Sequence, residues 1–137
     1  CGSGILSIAA LALGAHFATA VDIDPKAVGV AYENAALNSI GQDRYLVQSG
    51  DVLSDETLFA KLATKKYQLV LANIVADVII PLCTPVTSLL KPDGIFICSG
   101  IIDSRSEEIA AALKENGYTI VEKKEKNGWV SFVARLA

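Results

Sequence analysis

Two spacings of apolar positions alternate along this chain and predict its elements. From Ile5 to Leu13 the residues are small and mostly apolar, the pattern of a buried helix, which Gly14 stops. Phe17 to Val21 predicts a short buried strand ending at Asp22. Asp24-Pro25 is a helix start, with Asp24 as N-cap and Pro25 in the first helical position. The helix runs to about Asn38 and places Val28, Ala31, Tyr32 and Ala35 along one face. Tyr45 to Gln48 predicts the next strand, followed by Gly50-Asp51 and a short helix around Glu56 to Ala63. An apolar strand over Gln68 to Ala72 follows. Asp77 to Leu90 has helical spacing, but Pro81 and Pro85 predict a kinked or broken helix. Lys91-Pro92-Asp93-Gly94 predicts a turn into a strand over Ile95 to Ser99. Ser104 and Glu107 have capping-box spacing for a helix that Gly117 ends. Tyr118 to Glu125 and Trp129 to Arg135 flank Asn127-Gly128, a two-residue hairpin turn.

Strands alternating with helices predict an α/β fold: a doubly wound, mostly parallel sheet closed by a C-terminal antiparallel hairpin. The 137 residues fit one domain, 1–137. The chain opens inside a glycine loop where a leading strand is expected. It therefore reads as a piece of a longer protein whose first strand is missing. A net charge of -3 gives no electrostatic footprint for nucleic acid. The basic cluster Lys123, Lys124 and Lys126 reads as a solvated strand end. Cys1, Cys83 and Cys98 have neither paired spacing nor a histidine partner, since His16 is the one histidine, so no metal site or disulfide framework is expected. Gly4 to Val21 carries no charge, yet Gly14 and His16 interrupt it, and a helix followed by a strand explains it better than a membrane span. No signal peptide is read at the start.

In an open parallel sheet, ligands bind beyond the carboxyl ends of the strands, so the residues just after each strand carry the chemistry. Gly2-Ser3-Gly4 lets backbone approach a ligand ahead of a helix start. A dinucleotide fingerprint would have a third glycine where Ser7 stands. Asp22 can accept both hydroxyls of a ribose; Asp24 competes for that role, although its place before Pro25 favours helix capping. Gly50-Asp51-Val52 offers an acceptor for an adenine amino group, or alternatively a loop-solvating carboxylate. Asn73 ends a very apolar strand, where it is either a turn or capping residue or a functional acceptor. Asp77 is an alternative cap for the helix that follows.

The chain resembles the ribosomal protein L11 methyltransferase family of class I methyltransferases. The resemblance rests on Cys-Gly-Ser-Gly-Ile-Leu-Ser-Ile-Ala-Ala at the start, Val-Asp-Ile-Asp-Pro-Lys-Ala-Val from Val21, and Glu33-Asn34-Ala35. It continues through Ala-Asn-Ile-Val-Ala-Asp-Val-Ile from Ala72, Leu-Lys-Pro-Asp-Gly from Leu90, Ser-Gly-Ile-Ile from Ser99 and the closing Gly128-Trp129-Val130. It implies a Rossmann-like fold binding S-adenosyl-L-methionine, with Gly2 and Gly4 packed against the methionine portion and Ser3 among the cofactor-binding residues. Asp22 would take the ribose, Ile23 would pack near the adenine, Asp51 would contact its amino group, and Val52 and Asn73 would also line the cofactor site. Asn73 and the Ile74 carbonyl would orient an amine nucleophile. The implied substrate is a ribosomal protein of the large subunit, methylated at its amino terminus and at lysines in the cytoplasm. No direct nucleic-acid, membrane or metal partner is implied. The family's first strand and its substrate-holding amino-terminal domain are absent from these residues, so weak activity is expected of them alone.

Three other readings compete. One is a methyltransferase acting on RNA, protein glutamine or a small molecule, although Asn73-Ile74 lacks the proline-proline-aromatic run common there. A nicotinamide-dependent oxidoreductase would also use Asp22 and the glycine loop, but Ser7 and the terminal hairpin count against it. A non-catalytic binding module is the third.

Overall fold

The computed structural model describes residues 2–136, and the chain divides into two compact units, residues 1–59 and 60–137. The predicted α/β character is found, with the strands in two sheets.

In the first unit the chain runs through α1 (Ile5–Ala12), β1 (Ala18–Asp22), α2 (Pro25–Leu37) and β2 (Tyr45–Ser49), and then starts α3 (Glu56–Leu62). β1 and β2 pair in parallel, from Ala18 opposite Tyr45 to Asp22 opposite Ser49. Their core is built from Ile8, Leu11, Ala20, Ala31, Ala35, Ile40, Tyr45 and Val47. Three of these are alanines, which lets α2 lie close to the strands. The cap reading of Asp24 holds, because its Oδ1 accepts the Lys26 amide at 2.9 Å. Tyr32, on α2, accepts the Val47 amide at 2.8 Å through its hydroxyl, giving the edge strand a partner for one ladder group.

Arg44 secures the far end of α1. Its guanidinium donates to the carbonyl of Leu11, in the last turn of α1, at 3.2 Å and to that of Ala15, just beyond the helix, at 2.9 Å, at the helix's negative end. We expect Arg44→Met to lower the unfolding free energy by about 1–3 kcal/mol, the usual worth of hydrogen bonds from a charged donor. Arg44→Lys should recover only part of it, since an ammonium lacks the planar fork. Equal urea midpoints for all three proteins would show that these bonds add nothing.

The second unit contains β3 (Tyr67–Asn73), α4 (Ala76–Val86), β4 (Leu90–Ile102), a 3₁₀ turn over Asp103–Arg105, α5 (Ser106–Glu115), β5 (Tyr118–Lys126) and β6 (Trp129–Leu136). The sheet order is β3-β4-β6-β5. β4 is parallel to β3 and antiparallel to β6, which forms the predicted hairpin with β5. Asn127 and Gly128 take φ of 52° and 81° in its turn, the left-handed pair that a type I′ turn requires. One core joins Ile79, Cys83 and Val86 of α4, Ile109 and Leu113 of α5, and Phe96, Cys98, Ile101, Val130 and Phe132 of the sheet.

Three local expectations need correction. α4 passes through both Pro81 and Pro85 as one helix and ends at Val86 rather than Leu90. Leu90 instead starts β4. The predicted turn at 91–94 lies within the span of β4 as an irregularity: Leu90 to Ile95 covers the same rungs as Tyr67 to Leu69. Asp93 has a φ of 62° there. Ser104 and Glu107 form no capping box, because Ser104 sits in the 3₁₀ turn and α5 begins at Ser106 without a side-chain cap.

Candidate functional site

The first unit gathers its candidates beyond the carboxyl ends of β1 and β2. Gly2 and Gly4 both have positive φ, 53° and 83°. A Cβ placed at Gly2 would have no neighbour within 4 Å among the described residues, but one at Gly4 would meet the Tyr45 hydroxyl at 3.0 Å and Ala31 Cβ at 3.1 Å. Glycine at position 4 is therefore needed twice, for its backbone angle and for the close approach of α2. Asp22 holds the loop from β1: its Oδ2 accepts the Gly2 amide at 2.7 Å, and its Oδ1 accepts the Asp24 amide at 2.9 Å. The Ser3 carbonyl accepts from Asn34 Nδ2 at 2.8 Å.

The loop after β2 is fastened to the same strand end. The Gly50 amide donates to the Asp22 carbonyl at 2.9 Å. Asp51 accepts the Leu53 amide at 3.0 Å through Oδ1, and Val52 is partly buried. Asp55, which the sequence reading passed over, caps α3 by accepting the Leu58 amide at 3.0 Å. Gly2, Ser3, Gly4, Asp22 and Asp51 are thus brought into one backbone-linked group.

Its chemistry suits a nucleoside. The Asp22 carboxylate is acceptor-only, the type of group that takes sugar hydroxyls, and its two oxygens hold the Gly2 and Asp24 amides. Ile23 follows directly and is 71% exposed, an apolar surface of the kind an aromatic base packs against. Asp51 Oδ2 is available beside its Oδ1–Leu53 bond to accept from an exocyclic amine.

In the second unit, Asn73 ends β3 opposite Ser99 of β4, and the Ile74 amide donates to the Ser99 carbonyl at 3.2 Å. Gly100 follows with a φ of 78°. A side-chain carbon at Gly100 would lie 2.5 Å from Asn73 Oδ1 and 3.3 Å from both the amide nitrogen and the carbonyl oxygen of Ile74. Gly100 thus leaves the space that the Asn73 carboxamide oxygen occupies. Asn73 caps no helix: α4 starts with Val75 at its N-cap and no side-chain bond. Asp77 is not the cap either. It lies in the first turn of α4 and pairs with Arg105 at 2.8 Å, while Arg105 also grips Glu108 with bonds of 2.8 and 3.1 Å. This charge cluster ties the start of α4 to the start of α5.

Among the described residues, these strand ends offer acceptors and no activated nucleophile. Burial pushes the Cys98 thiol, on β4 before Ser99, up to about 12 and the Cys83 thiol up to about 11, so neither supplies a thiolate at neutral pH. Cys1 lies outside the described residues. Among the described residues no group of three His, Cys, Asp or Glu side chains is placed to hold a metal ion. No described helix is long and apolar enough to cross a membrane.

Gly100 and Asn34 were missed as individual site residues. Each appeared only inside a longer stretch of resemblance, because its partner is distant in the chain.

Known proteins give the arrangement a family. The family model described as "Ribosomal protein L11 methyltransferase (PrmA)" matches residues 1–137. A ribosomal protein L11 methyltransferase of Desulfitobacterium hafniense is 45% identical over 98% of this chain and 40% of its own length. The crystal structure of the ribosomal protein L11 methylase from Lactobacillus delbrueckii subsp. bulgaricus superposes with a TM-score of 0.86 at 36% identity, covering 97% of this chain and 65% of that one. A putative SAM-dependent methyltransferase from Streptococcus mutans shares the fold, with a TM-score of 0.82 at 14% identity. The chain spans 40 to 44% of the length of the first curated relatives it matches. With its strand-end acceptors, its glycine loop and a match along its whole length, the chain belongs to the ribosomal protein L11 methyltransferase (PrmA) family.

Proposed function

We propose that residues 1–137 are the S-adenosyl-L-methionine-binding and methyl-transferring part of an enzyme that methylates amino groups of ribosomal protein L11, a cytoplasmic task. Gly2, Ser3, Gly4, Asp22, Ile23, Asp51 and Val52 bind the cofactor. Asn73 and the Ile74 carbonyl receive the substrate amine. When bound, the cofactor supplies a methyl group already activated on a sulfonium.

What the protein adds is position and charge stabilisation. Asn73 Oδ1 and the Ile74 carbonyl accept N–H bonds from a neutral amine, which fixes the direction of its lone pair. The same dipoles stabilise positive charge developing on nitrogen. The reading is carried by the Asn73–Gly100 pair, an acceptor at a strand end in space that only glycine leaves clear. An amine substrate suits these acceptors better than one whose attacking atom must be deprotonated by a nearby base.

Tritium transfer from labelled cofactor tests the assignment. Label is expected in ribosomal protein L11 and not in ribosomal RNA; label in RNA alone would favour the nucleic-acid methyltransferase reading.

A further inference from the structure

We infer that Asn34 is a positioning residue for the glycine loop, the second of two side-chain fasteners that set its shape for the cofactor. This rests on the proposed function. The loop has two left-handed glycines on either side of Ser3, and such a segment has many accessible conformations unless its polar groups are fixed. On the β1 side, the Gly2 amide is fixed by Asp22 at 2.7 Å. On the α2 side, the Ser3 carbonyl is fixed by Asn34 Nδ2 at 2.8 Å.

The sequence of α2 makes this possible. Ala31 and Asn34 are three residues apart and therefore neighbours on one helix face. Ala31 is fully buried and supplies the close contact, with its Cβ 3.1 Å from the side-chain position of Gly4. Asn34 supplies the donor one turn further along. A carboxamide is required because the acceptor is a carbonyl: aspartate has the same shape but offers no N–H and would set negative charge against the Ser3 oxygen. Asn34 is itself steadied, as its own backbone carbonyl accepts from Asn38 Nδ2 at 3.0 Å. Asparagine is an indifferent helix former, so propensity does not explain its presence within α2.

Two consequences separate a positioning role from a merely structural one. Loss of the fastener should loosen the loop locally while α2 and the core remain intact. It should also weaken adenosylhomocysteine, which needs the loop preformed, because ordering the loop must then be offset by binding.

The test compares Asn34→Ala, Asn34→Asp and the parent protein in three measurements: adenosylhomocysteine affinity by calorimetry, exchange rates of the loop amides, and melting temperature. Both variants should bind about 10-fold more weakly, the upper worth of one neutral hydrogen bond. Their loop amides should exchange faster by a similar factor, with melting temperatures close to that of the parent. Parental affinity in both variants would overturn the assignment. So would weakened binding that follows a lowered melting temperature while loop exchange is unchanged. If the parent itself fails to bind adenosylhomocysteine, the proposed function falls, and the exchange rates alone decide whether Asn34 fastens the loop.

Discussion

Asn73→Ala should lower the rate of methyl transfer about 100- to 1000-fold, the range seen when one preorganised polar group is removed from a charge-developing site. Its affinity for adenosylhomocysteine should change far less. Gly100→Ala should reproduce much of the defect without altering Asn73. A methyl at that position would stand 2.5 Å from Asn73 Oδ1 and close to both polar backbone atoms of Ile74, so the acceptors must turn away or the strand must shift. The substitution also forces a side chain onto a φ of 78°, a strain of about 1 kcal/mol. That cost is too small to unfold the sheet but sufficient to favour a rearranged strand end. Single-turnover assays with excess cofactor isolate the chemical step. A parental rate in Asn73→Ala would remove it as an amine acceptor. A parental rate in Gly100→Ala would show that the clearance is not what sets its position.

Local chemistry explains which elements were readable from sequence. Asp24-Pro25 and Asn127-Gly128 announced a helix start and a hairpin turn because each acts through its own backbone, and both are found. The broken-helix alternative for α4 fails because proline's missing amide is only a local cost. Ile79, Cys83 and Val86 bury one face of the same helix in the second unit's core, and that tertiary gain outweighs the interruption. The Ser104–Glu107 spacing failed for a related reason. Arg105 holds Asp77 and Glu108 simultaneously, and the chain enters α5 through a tight turn that removes Ser104 from the capping position.

The candidate site divides along the same line. Asp22, Asp51 and Asn73 were legible as candidates because each lies at or just past the carboxyl end of a strand, where a polar residue requires a reason. Gly100 was not. A glycine after Ser99 reads as the end of a strand, whereas β4 continues to Ile102 and Ile101 pairs with Val130. Its requirement comes from the side chain of Asn73, which no periodicity along β4 reveals. Asn34 poses the same problem, since its hydrogen bond spans 31 positions.

If Asp22 holds the ribose as proposed, Asp22→Ala should weaken adenosylhomocysteine about 100-fold or more, the loss of two charge-assisted bonds each worth about 1.5–3 kcal/mol. The structure adds a second route to the same loss. Asp22 also holds the Gly2 amide, so its removal releases the loop that Asn34 grips from the other side. Asp22→Asn should lose less, retaining one acceptor oxygen while setting an amide donor against a backbone N–H. α2 should survive either change, because its cap is made by Asp24 and Lys26 without Asp22. Calorimetry together with melting curves separates binding from folding, and parental affinity in Asp22→Ala would deny it the ribose. Combining Asp22→Ala with Asn34→Ala sharpens the result. Two groups fastening one short loop do not contribute independently, so the double variant should lose less affinity than the product of the single losses. A full product would mean that the two side chains act on separate parts of the ligand.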